Sequence, residues 1–125
     1  MHILIDNKTG EPIYNQIYNQ IRAQIISGDL EDNQLLPSIR GLARDLRISF
    51  LTTKRAYDEL EKDGLIYTVQ GKGSYVAPRN EDLIREDNLR KIEEHLEQIS
   101  LLARAARISN EELFEMLSFC LEDES

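Results

Sequence analysis

Tryptophan is missing from this chain of 125 residues, cysteine occurs once and histidine twice. A lone thiol, Cys120, leaves no internal disulfide, and its place in an apolar helical pattern predicts a buried thiol in a reducing cytoplasm. His2 and His95 have no second His or Cys at metal-ligand spacing, so no metal is expected. Uninterrupted apolar runs stop at three or four residues, far short of the roughly 20 that span a bilayer, so no membrane association is expected. The opening MHILIDNKTG lacks the basic and hydrophobic regions of a signal peptide. Six glycines and three prolines are too few for a low-complexity chain. Catalytic patterns are missing as well. No Ser or Cys has a recognisable base partner, and the fragment GKGS at 71–74 fails as a phosphate loop because Gly73 separates Lys72 from Ser74. Neither an enzyme nor a bound cofactor is expected.

What is present is charge, at 30% of residues with a net of −8, and it is unevenly spread. Residues 1–80 hold ten bases and ten acids, whereas residues 81–125 hold five bases and thirteen acids. Within residues 38–57 five bases (Arg40, Arg44, Arg47, Lys54, Arg55) face Asp45 alone, a local +4. Such asymmetry suggests a nucleic-acid contact in the middle of the chain and another role for its end.

Apolar periodicity divides the chain into elements. Residues 11–27 read as a helix with Ile13, Ile17, Ile21 and Ile25 on one face, Pro12 in the first turn and Gly28 after the end. A polar connection over 29–36 ends in Leu-Leu-Pro. Ser38 is an N-cap for a short helix carrying Ile39, Leu42, Ala43 and Leu46. Ser49 caps another, running to about Asp63, with Thr53, Ala56, Tyr57 and Leu60 inward and Gly64 ending it. The period then changes to two: LIYTV and SYVA flank QGKG, a β-hairpin signal. From about Glu81 the helical period returns with a seam of Leu89, Ile92, Leu96 and Ile99, continued by Ala103 and Ala106. Ser109 and Glu112 form a capping box before a last helix with Leu113, Phe114, Met116, Leu117, Cys120 and Leu121; the terminal EDES is expected to fray.

Three helices and a hairpin, the second and third helices closely joined, give the order of a winged helix-turn-helix. The fold class is therefore mainly α with a small β-hairpin, followed by a two-helix segment. A recognition helix presents its N-terminal residues to base edges. With Thr53, Ala56, Tyr57 and Leu60 inward, Phe50, Leu51, Thr52, Lys54 and Arg55 are the candidates. Thr52 can bond base or phosphate, Lys54 and Arg55 supply cations, and Phe50 or Leu51 can press on thymine methyls. The amides near Ser38 and Ser49 are phosphate sites, and Arg40 can clamp the backbone or a guanine. Gly71, Lys72 and Gly73 fit a wing tip, with Lys72 reaching the minor groove. The competing readings are a solvated helix face for TTKR, plain turn chemistry for GKG, and a protein-interaction module using the winged helix as scaffold, with Phe50 and Leu51 as its contact.

The stretch LLPSIRGLARDLRISFLTTKRAYDELEKDGLIYTVQGKGSYV closely resembles the DNA-binding domain of GntR-type bacterial transcription regulators. The match runs from about Ile13 to Ala77, with LPSIR, LA, TTKRAY and GKGS in order. The resemblance implies a homodimeric repressor on a palindromic double-stranded operator, with DNA contacts from Ser38, Arg40, Ser49, Thr52, Lys54 and the wing glycines. Two positions depart from it: many members carry Arg where Phe50 stands, and Gly is common where Asn33 stands. The last 45 or so residues, in two helices, look like the small YtrA-type subfamily.

Two amphipathic helices of that length cannot bury their apolar faces alone, so a symmetric homodimer through Leu89, Ile92, Leu96, Ile99, Leu113 and Leu117 is expected. The organisation is thus 1–79 for DNA binding and 80–125 for dimerisation. Two helices offer little room for a small-molecule effector outside the dimer interface.

Overall fold

The computed structural model describes residues 1–122, in which α1 (Ile13–Ser27), α2 (Ile39–Leu46), α3 (Phe50–Lys62), β1 (Ile66–Val69), β2 (Gly73–Val76), α4 (Glu81–Ala105) and α5 (Asn110–Glu122) follow one another. Of the terminal EDES only Glu122 is described, as the last residue of α5; the rest lies outside the described residues. The chain divides into a compact unit spanning Met1–Arg79 and a second that begins at Asn80.

In the first unit Pro12 occupies the N-cap position of α1, one place ahead of the first helical residue. Its carbonyl accepts from the Asn15 and Gln16 amides, at 3.1 and 3.2 Å. Gly28 closes the helix with φ 88°, a conformation other residues adopt only with strain. The side-chain oxygens of Ser38 and Ser49 each accept a backbone N–H at 3.0 Å, from Gly41 and Thr52 respectively, satisfying donors that a helix start leaves without partners. Thr53, Ala56, Tyr57 and Leu60 are all buried, the inward face that periodicity predicts. With Ile17 and Ile21 of α1, Leu42 and Ala43 of α2, and Leu65, Ile66 and Val76 of the hairpin they make the core. Each large aliphatic side chain buried there stabilises the fold by roughly 1.5–3 kcal/mol.

The hairpin pairs Ile66 with Val76 and Tyr67 with Tyr75, whose rings stack at 5.5 Å. The polar connection ahead of α2 turns out to be its third strand in all but length. Leu36 donates to Ser74 O (2.9 Å), Val76 donates to Gln34 O (2.9 Å), and Leu35 bridges Tyr75. Asn33, at φ 63°, starts this pairing by donating to Val76 O at 2.8 Å, and its side chain accepts from the Tyr67 hydroxyl. Asparagine tolerates that conformation better than other non-glycine residues, which accounts for its standing at a glycine position.

A second long-range feature has no counterpart in the periodicity. Gln16, Gln20 and Gln24 lie one above another on α1 and use their side-chain amides as a strand partner for residues 2–6. Gln20 accepts from Leu4 N–H and donates to Leu4 O (2.9 and 2.7 Å), Gln16 does both with Asp6 (2.8 Å each), and Gln24 donates to His2 O (2.8 Å). The register works because four helical residues rise about 6 Å while two extended residues span about 6.6 Å.

In the second unit Asn80 caps α4 by accepting from Leu83 N–H (3.1 Å), and Ser109 caps α5 by accepting from Glu112 N–H (3.1 Å). Leu89, Ile92, Leu96, Ile99 and Leu117 are exposed, Leu113 is half-buried, and α5 has no buried residue. Cys120 is exposed as well, contrary to the buried thiol its helical pattern predicts. The apolar face it belongs to exists, but none of the described residues covers it. Between α4 and α5 runs an apolar groove of about 270 Å³ lined by Leu96, Ile99, Leu113, Phe114, Leu117 and Cys120, among others.

Candidate nucleic-acid interface

The turn joining α2 to α3 sets the geometry of the candidate site. Arg47 adopts φ 57°, and Ile48 N–H donates to Ala43 O at 3.0 Å, which turns the chain sharply and releases Ser49 to cap α3. The Ser49 hydroxyl also donates to Thr52 Oγ1 at 2.7 Å, and Thr53 Oγ1 donates back to Ser49 O at 3.1 Å. Tyr57 ties α3 to the chain entering α2 by donating to Pro37 O at 2.7 Å; burial pushes its phenol well above the ordinary range, so it stays a neutral donor. A serine cap thus closes the start of each helix, and the Tyr57–Pro37 bond joins the middle of α3 to the chain entering α2.

On the outer side Leu51 is 75% exposed, Lys54 and Arg40 are exposed, and Thr52 is half-buried with its hydroxyl already accepting from Ser49. Lys54 Nζ lies 2.7 Å from Asp58 on the next turn. Exposed pairs of this kind contribute little, so a phosphate can take the carboxylate's place. The four-residue spacing of Lys54 and Asp58 is visible in the sequence and signals this pairing. Phe50 is 39% exposed, its ring beneath the Arg40 guanidinium at 5.0 Å. Arg55, exposed and one turn beyond Leu51, has its guanidinium 3.7 Å over the Tyr14 ring of α1. The helix turns by about 100° per residue, which sets Arg55 on the α1 side of Lys54.

Sequence periodicity does not single out Gly41, yet it has a role here. A Cβ at this position would stand 2.9 Å from Ser38 Oγ and disturb the cap of α2. At the wing, Lys72 N–H donates to Val69 O (2.9 Å) across a turn that holds Gly71 at φ 80° and leaves Lys72 exposed. Gly73, at φ 125°, has Leu35 Cδ1 only 3.2 Å from where a Cβ would be. The wing is thus braced by the short third strand. Among the described residues no group of three or more His, Cys, Asp or Glu could hold a metal ion, and no helix is long and apolar enough to cross a membrane.

Comparison with known proteins points the same way. The family "Bacterial regulatory proteins, gntR family" matches residues 13–76, from the start of α1 to the end of β2. The HTH-type transcriptional repressor YtrA of Bacillus subtilis is 33% identical over 115 residues, 92% of this chain and 88% of that protein. Among solved structures, YtrA from Sulfolobus acidocaldarius, a GntR-family transcription factor, is 36% identical with a TM-score of 0.58, covering 72% of this chain and 96% of that one. The DNA-binding domain of AraR in complex with operator ORR3 is 28% identical with a TM-score of 0.52, over 62% of this chain and 93% of that one. This chain belongs to the GntR family of bacterial regulatory proteins, in its YtrA-type branch.

Proposed function

We propose that this protein is a transcriptional repressor, not an enzyme, that binds a palindromic double-stranded operator in the cytoplasm as a homodimer. The observation that carries the reading is the face formed by Arg40, Leu51, Thr52 and Lys54 at the capped starts of α2 and α3, within the region that resembles an operator-bound domain. The N-terminal turn of α3 enters the major groove, where Lys54 and Thr52 meet base edges or phosphates and Leu51 meets thymine methyls. The free amides beside Ser38 and Ser49 take phosphates, and Gly71, Lys72 and Gly73 lie along the neighbouring backbone.

The second unit supports the dimer. Leu89, Ile92, Leu96, Ile99, Leu113 and Leu117 present an apolar surface that a second copy can cover by symmetry. Residues 81–125 hold thirteen acids against five bases, so the basic face of α2 and α3 is the part suited to meet phosphate. The test is binding-site selection from random DNA, followed by titration of Lys54→Ala on selected and scrambled sites. A base-reading Lys54 costs roughly 1–3 kcal/mol at one position, whereas a phosphate contact weakens every sequence about equally. Wild-type affinity that fails to fall steeply with salt would contradict the whole reading.

A further inference from the structure

We propose that Phe50 is a positioning residue: its ring holds the Arg40 guanidinium ready for DNA and does not itself read a base. The inference rests on the DNA-binding reading above and replaces the thymine-methyl contact that the sequence suggests for Phe50.

The two residues come from different helices, Arg40 from the first turn of α2 and Phe50 from the first position of α3. The Arg40 Cζ stands 5.0 Å over the Phe50 ring, within the range of cation–π attraction. Two other cations of these helices have carboxylates: Lys54 has Asp58 at 2.7 Å and Arg44 has Asp45 at 3.8 Å. Arg40 has none among the described residues. The difference matters for an incoming phosphate or guanine. A carboxylate neutralises the cation and occupies its donors, and must be displaced before DNA can bind. A ring attracts the cation but accepts none of its N–H groups in their own plane, so the guanidinium keeps its charge and its fork of donors. It also restricts a flexible side chain before binding, which lowers the ordering cost at the moment of association. Leu51, nearly twice as exposed as Phe50, remains the side chain free to meet a thymine methyl.

Selection from random DNA with the full chain defines the preferred site. Affinity for that site is then measured for Arg40→Ala, Phe50→Leu, Phe50→Tyr and the double change Arg40→Ala with Phe50→Leu. Phe50→Leu is expected to weaken binding roughly three- to tenfold and to alter the same base pair, or the same salt dependence, as Arg40→Ala. Phe50→Tyr keeps the ring and is expected to restore both. In the Arg40→Ala background, Phe50→Leu is expected to have no further effect. Additive losses, an altered preference at a different base pair, or unchanged affinity for Phe50→Leu would each overturn the proposal. A readout without DNA accompanies these: the Arg40 side-chain protons should show an upfield ring-current shift in the free protein that Phe50→Leu removes. Absence of that shift in the wild type overturns the pairing whatever the variants do. A wild type that selects no motif sinks the DNA-binding reading and this inference with it, whereas a selected motif with additive losses sinks only this inference.

Discussion

The tripeptide Arg-Ile-Ser occurs at 47–49 and again at 107–109, each time between two helices. Both arginines sit at φ 57°. Both isoleucine amides reach back five residues, Ile48 to Ala43 O (3.0 Å) and Ile108 to Ala103 O (2.8 Å), and both serines cap the next helix. The surroundings are unlike. The helix after the first link buries Thr53, Ala56, Tyr57 and Leu60, whereas the helix after the second buries nothing. A turn is a matter of a few neighbouring residues, and the same three give the same turn twice. Burial depends on what the rest of the chain brings to the face. Around α3 it brings α1, α2 and a hairpin; around α5 it leaves leucines and phenylalanines uncovered.

Core truncation probes the contrast most strongly. Leu60→Ala should destabilise the protein by about 2–5 kcal/mol at any concentration, because its side chain is fully buried within one chain. Leu117→Ala, 49% exposed in the single chain, should cost a comparable amount only where a partner covers it. Thermal unfolding across a dilution series separates the two. A Leu117→Ala penalty of zero at every concentration would mean that the α5 face is not an interface.

The paired caps offer a smaller but cleaner comparison. Ser49→Ala and Ser109→Ala should each cost about 1 kcal/mol, with Ser49 the costlier because its hydroxyl also donates to Thr52 Oγ1. Equal losses by denaturant titration would show that this second bond adds nothing. The arginines at the turns should respond in the opposite direction. Arg47→Gly and Arg107→Gly relieve a left-handed conformation and should each gain about 0.5 kcal/mol, since glycine adopts it without steric cost. A loss at Arg47 alone would mean that its side chain makes up for the strain.

An effect of pH is expected in the alkaline range alone. Tyr18 donates to Asp63, and its phenol is pushed from 10.0 to about 12, first by burial and then by the bond to that carboxylate. The folded value lies above the unfolded one, so the stabilisation is complete below pH 10 and is lost as pH rises toward 12. Tyr57 acts in the same direction. Tyr18→Phe should therefore flatten, without abolishing, the fall in stability over that window, as read by unfolding at fixed pH steps.

Much of this was open to reading residue by residue. Serine caps, glycine stops, the inward stripe of α3 and the hairpin with its glycine turn all rest on spacings of a few residues, where backbone hydrogen bonding and side-chain direction leave few choices. The candidate reading face follows from that stripe, since Lys54 and Leu51 must point away from Ala56 and Leu60. What the sequence did not disclose lies in pairs distant along the chain. The glutamines at 16, 20 and 24 read as the polar side of α1 until residues 2–6 lie alongside them. Leu35 reads as a loop residue until Tyr75 is opposite. Arg55 reads only as a neighbour of Lys54 until the packing of α1 sets Tyr14 beneath it, and no spacing pairs Phe50 with Arg40, which comes from another helix. By itself, then, the sequence determined where helices start, turn and stop, because those choices are made by neighbours within about one turn. Only the tertiary structure decided which cations lie over aromatic rings and which loop residues pair with a strand, because that depends on which surfaces meet.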